Sequence, residues 1–158
     1  MIESVVISSP IGPIQITGDT DSIQEVTFLT DDQNISKTIP ESLSNCVAQL
    51  NQYFEGNRTN FDLKLNPQGT EFQRKVWQIL IEIPFSKTRS YLEQSKVFGD
   101  VKAIRTVASA NGKNPIAIII PCHRVIGSDG SLTGYAGGKW RKQWLLNHES
   151  PSKQQSLF

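Results

Sequence analysis

The chain has 158 residues, 37% of them hydrophobic and 20% charged, the composition of one or two compact globular domains. No stretch reaches the roughly 20 apolar residues of a membrane span, and Met1-Ile2-Glu3 does not open the basic and then apolar run of a secretory signal, so a cytoplasmic location is expected. Cys46 and Cys122 lie far apart and at no metal-ligand spacing, which argues against a disulfide framework or a zinc site and predicts two free thiols.

The net charge of +1 conceals an asymmetry. Residues 1–83 carry 5 Lys/Arg and 11 Asp/Glu, whereas residues 84–149 carry 10 and 4. A basic second half suits a phosphate-bearing partner without specifying one.

In chain order, Ser4–Ser8, Ile14–Thr17 and Gln24–Leu29 alternate as strands, separated by a Pro-Ile-Gly-Pro turn at 10–13 and a Gly-Asp-Thr-Asp turn at 18–21. This predicts a small antiparallel meander. From Pro40 to Phe54, Leu43, Cys46, Val47, Leu50, Tyr53 and Phe54 recur at helical spacing, and Gly56 ends the run. Cys46 falls on that apolar face, where a thiol packs as a small hydrophobe. Residues 57–69, rich in Asn with Pro67 and Gly69, read as a connector around a short strand, and the domain boundary is placed there.

Thr70-x-x-Gln73 is a capping box opening a helix with Phe72, Val76, Trp77 and Leu80 as its stripe, ended by Pro84. Ser90-Tyr91-Leu92-Glu93 is a second capping box, and that helix stops at Gly99. Asp100 caps the next, which runs to Gly112 with Ile104, Val107 and Ala108 inward and Lys102, Arg105 and Ser109 outward. The pair reads either as a helix-turn-helix, its second helix presenting cations, or as two surface helices with solvated charges.

Asn114–Pro121 has the composition of a buried strand. Five glycines between 127 and 138 make a loop able to approach a ligand closely, without the Gly-Lys-Ser/Thr ending of a nucleotide-phosphate loop. Residues 139–149 read as a last helix, with Trp140, Trp144 and Leu145 inward and Lys139, Arg141 and Lys142 near its start.

Between the strand-like run and the glycine loop stand Cys122, His123 and Arg124. A thiol becomes a nucleophile when a cation, a histidine or backbone amides favour its thiolate. A histidine base is ordinarily oriented by a carboxylate, and Asp129 and Glu149 are the only acids after Cys122. Glu149, at the end of the last helix, suits that role better than Asp129. The same residues are equally compatible with a buried cysteine beside a surface histidine.

The runs Asn111-Gly112-Lys113-Asn114-Pro115, Ile118-Ile119-Ile120-Pro121-Cys122-His123-Arg124-Val125-Ile126-Gly127 and Leu132-Thr133-Gly134-Tyr135-Ala136-Gly137-Gly138 strongly resemble the O6-alkylguanine-DNA alkyltransferases. The resemblance covers about residues 68–149, and Pro-Cys-His-Arg-Val is its most specific part. It implies an α+β protein with three parts. Residues 1–67 would be a support domain, a small antiparallel sheet with a helix in a ribonuclease H-like layout. Residues 68–149 would be a winged-helix-like, mainly helical domain with a helix-turn-helix, and residues 150–158 a flexible tail.

The activity implied is stoichiometric, irreversible transfer of an alkyl group from a flipped-out O6-alkylguanine to the cysteine. It implies no cofactor, no metal and a monomer on the minor groove of double-stranded DNA. Carried over by position, Cys122 would accept the alkyl group, His123 would act as base through water, Glu149 would orient His123, and Asn114 would brace the turn beside them. Tyr91 would protonate the departing guanine and contact the flipped nucleotide's phosphate. Arg105 would fill the gap in the base stack. Thr106, Lys102, Ser109 and Arg124 would be further DNA contacts, and Val125, Tyr135, Ala136 and Ala117 would form the pocket.

Several positions depart from the family pattern: Ser86, Leu92, Gln94-Ser95, and Thr106 beside Arg105. Ala117 and Ala136 imply a roomy pocket and acceptance of larger alkyl groups and of O4-alkylthymine. The tail Gln154-Gln155-Ser156-Leu157-Phe158 resembles the peptide by which bacterial repair proteins dock on the sliding clamp, with Gln154, Leu157 and Phe158 as contacts; a frayed polar terminus is the alternative. Two other functions fit part of the pattern, a damage-binding module that does not repair and a Cys-His hydrolase.

Overall fold

The computed structural model describes residues 1–30, 35–132 and 134–150. Packing divides them into two units, Met1–Gln68 with Pro115–Ala117, and Gly69–Asn114 with the residues from Ile118 on.

In the first unit β1 (Glu3–Ile7), β2 (Ile14–Gly18) and β3 (Ile23–Phe28) form an antiparallel meander in sequence order. Its register sets Val5 opposite Ile16 and Ile16 opposite Val26. Because side chains alternate along a strand, Val5, Ile7, Ile14, Ile16 and Val26 are all buried. The helix α1 (Glu41–Phe54) packs on β1 and β2 with Leu43, Cys46, Val47, Leu50 and Tyr53 buried. Cys46 is a core thiol, its pKa pushed up to about 12 by burial.

The free edge of β3 is covered by two short pieces of chain. Ile23 bridges Leu65 and Val26 bridges Ile116, and the Val26 amide donates to the Pro115 carbonyl at 2.9 Å while Ala117 N–H donates to Val26 at 2.9 Å. The strand expected over Asn114–Pro121 is therefore not formed. One residue pairs, and the chain then turns through Ile118, whose φ is +73°. Ile116 through Ile120 are buried all the same, so the apolar composition reports burial in a turn and not a ladder.

The second unit contains α2 (Glu71–Ile81), β4 (Arg89–Ser90), α3 (Tyr91–Phe98), α4 (Ile104–Gly112), β5 (Val125–Ile126) and α5 (Lys139–Glu149). Both expected capping boxes are present. Gln73 N–H donates to the Thr70 hydroxyl at 3.1 Å and Thr70 N–H to Gln73 Oε1 at 3.0 Å. The Glu93 and Ser90 amides make the equivalent pair at 3.0 and 2.8 Å. Trp77, buried on α2, donates its indole N–H to the Ala110 carbonyl at 2.8 Å and so ties α2 to α4.

The inward face of α4 is Val107, Ala110 and Asn111, whereas Ile104 and Ala108, expected inward, are only half-buried. On α5 the inward face is Lys142, Leu145 and Glu149. Trp140, expected inward, is 56% exposed, with the Arg141 guanidinium stacked 4.6 Å from its ring centre.

The turn between α3 and α4 is made by Gly99, at φ +109°, and Asp100, whose carboxylate accepts from Lys102 N–H at 2.9 Å. A β carbon at Gly99 would meet nothing within 4 Å, so the cost of a side chain there is backbone strain alone. Gly99→Ala should therefore destabilise the protein by about 1–2 kcal/mol. The check is a lower urea midpoint with an unchanged slope; a midpoint equal to that of the parent would show the turn relaxes without strain.

Candidate active site

The site lies in the second unit and is built from loop, helix end and turn. After Pro121 the chain makes a single 3-10 turn, Cys122–Arg124, with Cys122 N–H donating to Ile120 at 2.8 Å and Arg124 N–H to Pro121 at 3.0 Å. The Asn114 side-chain amide donates to the Ile120 carbonyl at 2.8 Å and reaches the Cys122 sulfur at 3.3 Å. One amide thus fixes the backbone on which the cysteine is mounted and offers a proton donor to its sulfur.

Cys122 is half-buried. Burial raises its pKa, and the Asn114 donor and the charge of Lys142 offset only part of that, so the resting group at neutral pH is the thiol. A base is needed to make the thiolate.

His123 is fully buried, and its Nε2 lies 2.7 Å from Glu149 Oε2. A carboxylate only accepts, so Nε2 carries the hydrogen and donates it, leaving Nδ1 as the basic nitrogen. Nδ1 has no hydrogen-bond partner among the described residues. Burial lowers the His123 pKa more than Glu149 raises it, which keeps the ring neutral and able to accept a proton at neutral pH. Glu149 is also buried. Burial alone would raise its carboxyl, but the hydrogen bonds and charges of His123 and Arg124 reverse this and hold it well below the usual carboxylate range.

Arg124, expected among the DNA contacts, is 6% exposed. Its Nε donates to Glu149 Oε1 at 2.7 Å, its Nη2 to Glu149 Oε2 at 3.1 Å and its Nη1 to the Ile83 carbonyl at 2.7 Å. The guanidinium is spent inside the unit, clamping α5 and the end of α2 to the cysteine turn. That is a correction to the sequence reading: the residue is a structural partner of Glu149.

Tyr91 reaches the same region from another direction. The two-residue parallel ladder of β4 and β5 pairs Arg89 with Val125 and Ser90 with Ile126, so the first residue of α3 is held beside the cysteine turn. A β carbon at Gly134 would stand 3.4 Å from the Tyr91 hydroxyl, and Gly134 has φ +74°. That distance is ordinary contact, and it is the positive φ that favours glycine there. Burial pushes the Tyr135 phenol well above its usual range, and a thiolate on Cys122 pushes it further. Val125 is buried in β5, Ala136 is exposed, and Ala117 is paired with Val26 in the first unit.

Lys102, Arg105, Thr106 and Ser109 are all exposed and lie along one face at the start of and on α4. The Thr106 hydroxyl donates back to the Ala103 carbonyl at 3.1 Å. Gln154, Leu157 and Phe158 lie outside the described residues. Among the described residues no cluster of His, Cys, Asp and Glu could hold a metal ion, and no helix is long and apolar enough to cross a membrane.

Sequence reading missed one residue of the site. Lys142, taken as one cation in a basic stretch, is 1% exposed, with its Nζ 5.7 Å from the centre of the Tyr91 ring. The signal was its spacing. Lys142, Leu145 and Glu149 fall at i, i+3 and i+7 on one helical face; Leu145 was already placed inward, and Glu149 was already assigned to His123.

Two family models match the chain, 6-O-methylguanine DNA methyltransferase, ribonuclease-like domain, over residues 3–67 and 6-O-methylguanine DNA methyltransferase, DNA binding domain, over residues 71–151. The methylated-DNA--protein-cysteine methyltransferase of Methanosarcina acetivorans is 46% identical over 151 residues, covering 91% of this chain and 96% of that protein. The protein of the same name from Mycobacterium tuberculosis H37Rv is 46% identical over 153 residues, covering 94% and 93%. The crystal structure of Mycobacterium tuberculosis OGT in complex with DNA is similar at a TM-score of 0.83, with 44% identity over 97% of this chain and 98% of that one. With both halves matched and the cysteine turn in place, the chain belongs to the 6-O-methylguanine DNA methyltransferase family.

Proposed function

We infer that the protein repairs DNA by transferring an alkyl group from O6-alkylguanine to its own Cys122. The observation that carries this is the cysteine turn itself: a half-buried thiol with an amide donor 3.3 Å from its sulfur, beside a buried neutral histidine that a carboxylate orients at 2.7 Å. Such a group can be deprotonated on demand and attack a carbon electrophile in line. A new sulfur–carbon bond forms as the carbon–O6 bond breaks, its electron pair goes to the base, and Tyr91 supplies the proton that the base takes up. The product is a thioether that no group of the site can cleave, so each molecule acts once.

The remaining roles belong to the same proposal. His123 takes the thiol proton through water, Glu149 orients it, and Asn114 braces the turn. The lesion is presented by flipping the nucleotide out of the duplex. Arg105 enters the gap, and Lys102, Thr106 and Ser109 line the DNA-facing side of α4. Val125, Tyr135 and Ala136 shape the pocket, with larger alkyl groups and O4-alkylthymine as further substrates. The protein acts as a monomer in the cytoplasm, and Gln154, Leu157 and Phe158 dock on a sliding clamp, a reading supported by their sequence alone.

The test is the intact mass of the protein after incubation with excess duplex DNA containing one O6-methylguanine, followed by peptide mapping. The expected result is a gain of one methylene per molecule on Cys122 and never more. Lesion binding without a mass gain would move the protein to the damage-flagging class, and neither binding nor gain would leave a Cys-His hydrolase in front.

A further inference from the structure

A polar group buried without a partner forfeits the hydrogen bonds it had in water, so folded proteins keep few of them, and one that is kept calls for a reason. Asn111 is such a group. It lies on the inward face of α4 and is 4% exposed. Both polar atoms of its side chain, Oδ1 and Nδ2, are buried with no hydrogen-bond partner among the described residues. A carboxamide brings a donor and an acceptor together, and here neither serves the fold. An apolar side chain of similar size would fill the same place at less cost.

The backbone sets this amide beside the cysteine. Asn114 N–H donates to the Asn111 carbonyl at 3.3 Å, a 3-10 contact in which residues three apart eclipse, so the two asparagines leave the chain on the same side. The Asn114 amide ends 3.3 Å from the Cys122 sulfur. The residue after Asn111 meets the glycine loop, since a β carbon on Gly112 would stand 3.4 Å from the Gly134 carbonyl, and one on Gly134 would stand 3.4 Å from the Tyr91 hydroxyl. The last turn of α4 is thus a wall running from the cysteine turn toward Tyr91, and Asn111 belongs to it.

We propose that Asn111 is a specificity-determining residue of the alkyl transfer, its carboxamide hydrogen-bonding the edge of the flipped base that carries the alkylated oxygen. The inference rests on the alkyl-transfer reading above. In-line attack on the carbon attached to O6 brings that edge of the base to the sulfur, and so to the amide beside it. In O6-alkylguanine two ring nitrogens, N1 and N7, flank the O6 group, and both are bare acceptors, whereas N1 of undamaged guanine carries a hydrogen. The Asn111 Nδ2 donates to one of them, the bond that asparagine makes to the N7 of adenine elsewhere. No bond is made or broken at Asn111 itself. A contact made only with the base in place accounts for an amide that the fold leaves unpaired.

The experiment is a cycle between protein and base. The full-length protein, Asn111→Leu and Asn111→Ala are each given duplexes bearing O6-methylguanine, its 7-deaza analogue or its 1-deaza analogue, in which CH replaces N7 or N1. Lesion affinity and the single-turnover rate of methyl transfer are both measured. Asn111→Leu should slow transfer from O6-methylguanine about ten-fold, the loss of one neutral hydrogen bond. The analogue that lacks the acceptor should cost the parent about ten-fold more than it costs either variant, whatever it does to the intrinsic reactivity of the base. Equal costs in parent and variants for both analogues would overturn the proposal and leave Asn111 a packing residue of α4. The rate of Cys122 modification by iodoacetamide, read by peptide mapping, needs no DNA and should be unchanged in the variants. A changed rate would show the substitution acting through Asn114 and the cysteine turn, which overturns the proposal equally. Alanine, the best helix former, covers the case in which leucine does not fit. A parent that binds the lesion and transfers no methyl group would sink the alkyl-transfer reading, and the affinity cycle then decides the Asn111 contact by itself.

Discussion

Glu149→Ala should cost the protein about 3–5 kcal/mol, the penalty for removing one partner of a buried ion pair, and should stop alkyl transfer. The carboxylate accepts from Arg124 at 2.7 and 3.1 Å and from His123 at 2.7 Å, and it is 2% exposed. Truncating it leaves a guanidinium buried with only the Ile83 carbonyl as a named acceptor, and leaves His123 without the bond that fixes its tautomer. Adding Arg124→Met to Glu149→Ala should recover part of the stability, since the orphaned charge is removed, but none of the activity, since His123 stays unoriented.

The same network fixes the pH dependence. The His123 pKa is lowered from 6.5 and the Glu149 pKa from 4.5 on folding. Over each interval the unfolded chain binds more protons than the folded one, so stability rises with pH. Stability should therefore be full above pH 6.5, begin to fall as unfolded His123 gains its proton, and fall faster below pH 4.5 as Glu149 is drawn toward protonation. Thermal melting followed from neutral to acid pH would show this, and in Glu149→Gln the steep acid limb should flatten. A variant curve running parallel to that of the parent down to pH 4 would mean that the buried trio does not set acid stability.

How far the sequence discloses these features depends on how local each one is. Thr70 with Gln73, Ser90 with Glu93, and Gly99 with Asp100 are complete within four residues, so the helix starts and the interhelical turn could be read off and stand where expected. The meander strands fell within one residue of their bounds for the same reason. The segment 114–121 could not be read this way. Its course is set by the Asn114 amide binding Ile120 and by Val26 taking one rung from it, and neither appears in the periodicity of an apolar run. Arg124 misled for a related reason. Its place among the DNA contacts came with the resemblance, and only the folded chain brings Glu149 within 2.7 Å of it. On α5 two tryptophans outweighed a lysine when the inward face was chosen, yet the face that packs is the one bearing Glu149. A buried charge that serves chemistry is the case in which hydrophobic patterning points the wrong way.

Tyr91→Phe should lower the rate of methyl transfer by about 10²–10⁴, the contribution of a positioned proton donor, while leaving the fold intact. The substitution keeps the ring, and with it the contact to Lys142 and the packing at the start of α3. The cap belongs to Ser90 and Glu93, and the β4–β5 ladder is made by backbone. Only the hydroxyl beside Gly134 disappears. Its loss leaves the departing base to leave as an anion or to take its proton from solvent, both slower than transfer from a group already in place. Because Cys122, His123 and Glu149 are untouched, the iodoacetamide reactivity of the thiol should not change, which separates a defect in the leaving group from one in the nucleophile. Single-turnover kinetics at saturating protein, with lesion affinity measured separately, would isolate the chemical step. A transfer rate equal to that of the parent would take Tyr91 out of the proton path and place the donor elsewhere, with the Tyr135 hydroxyl the next to be tested.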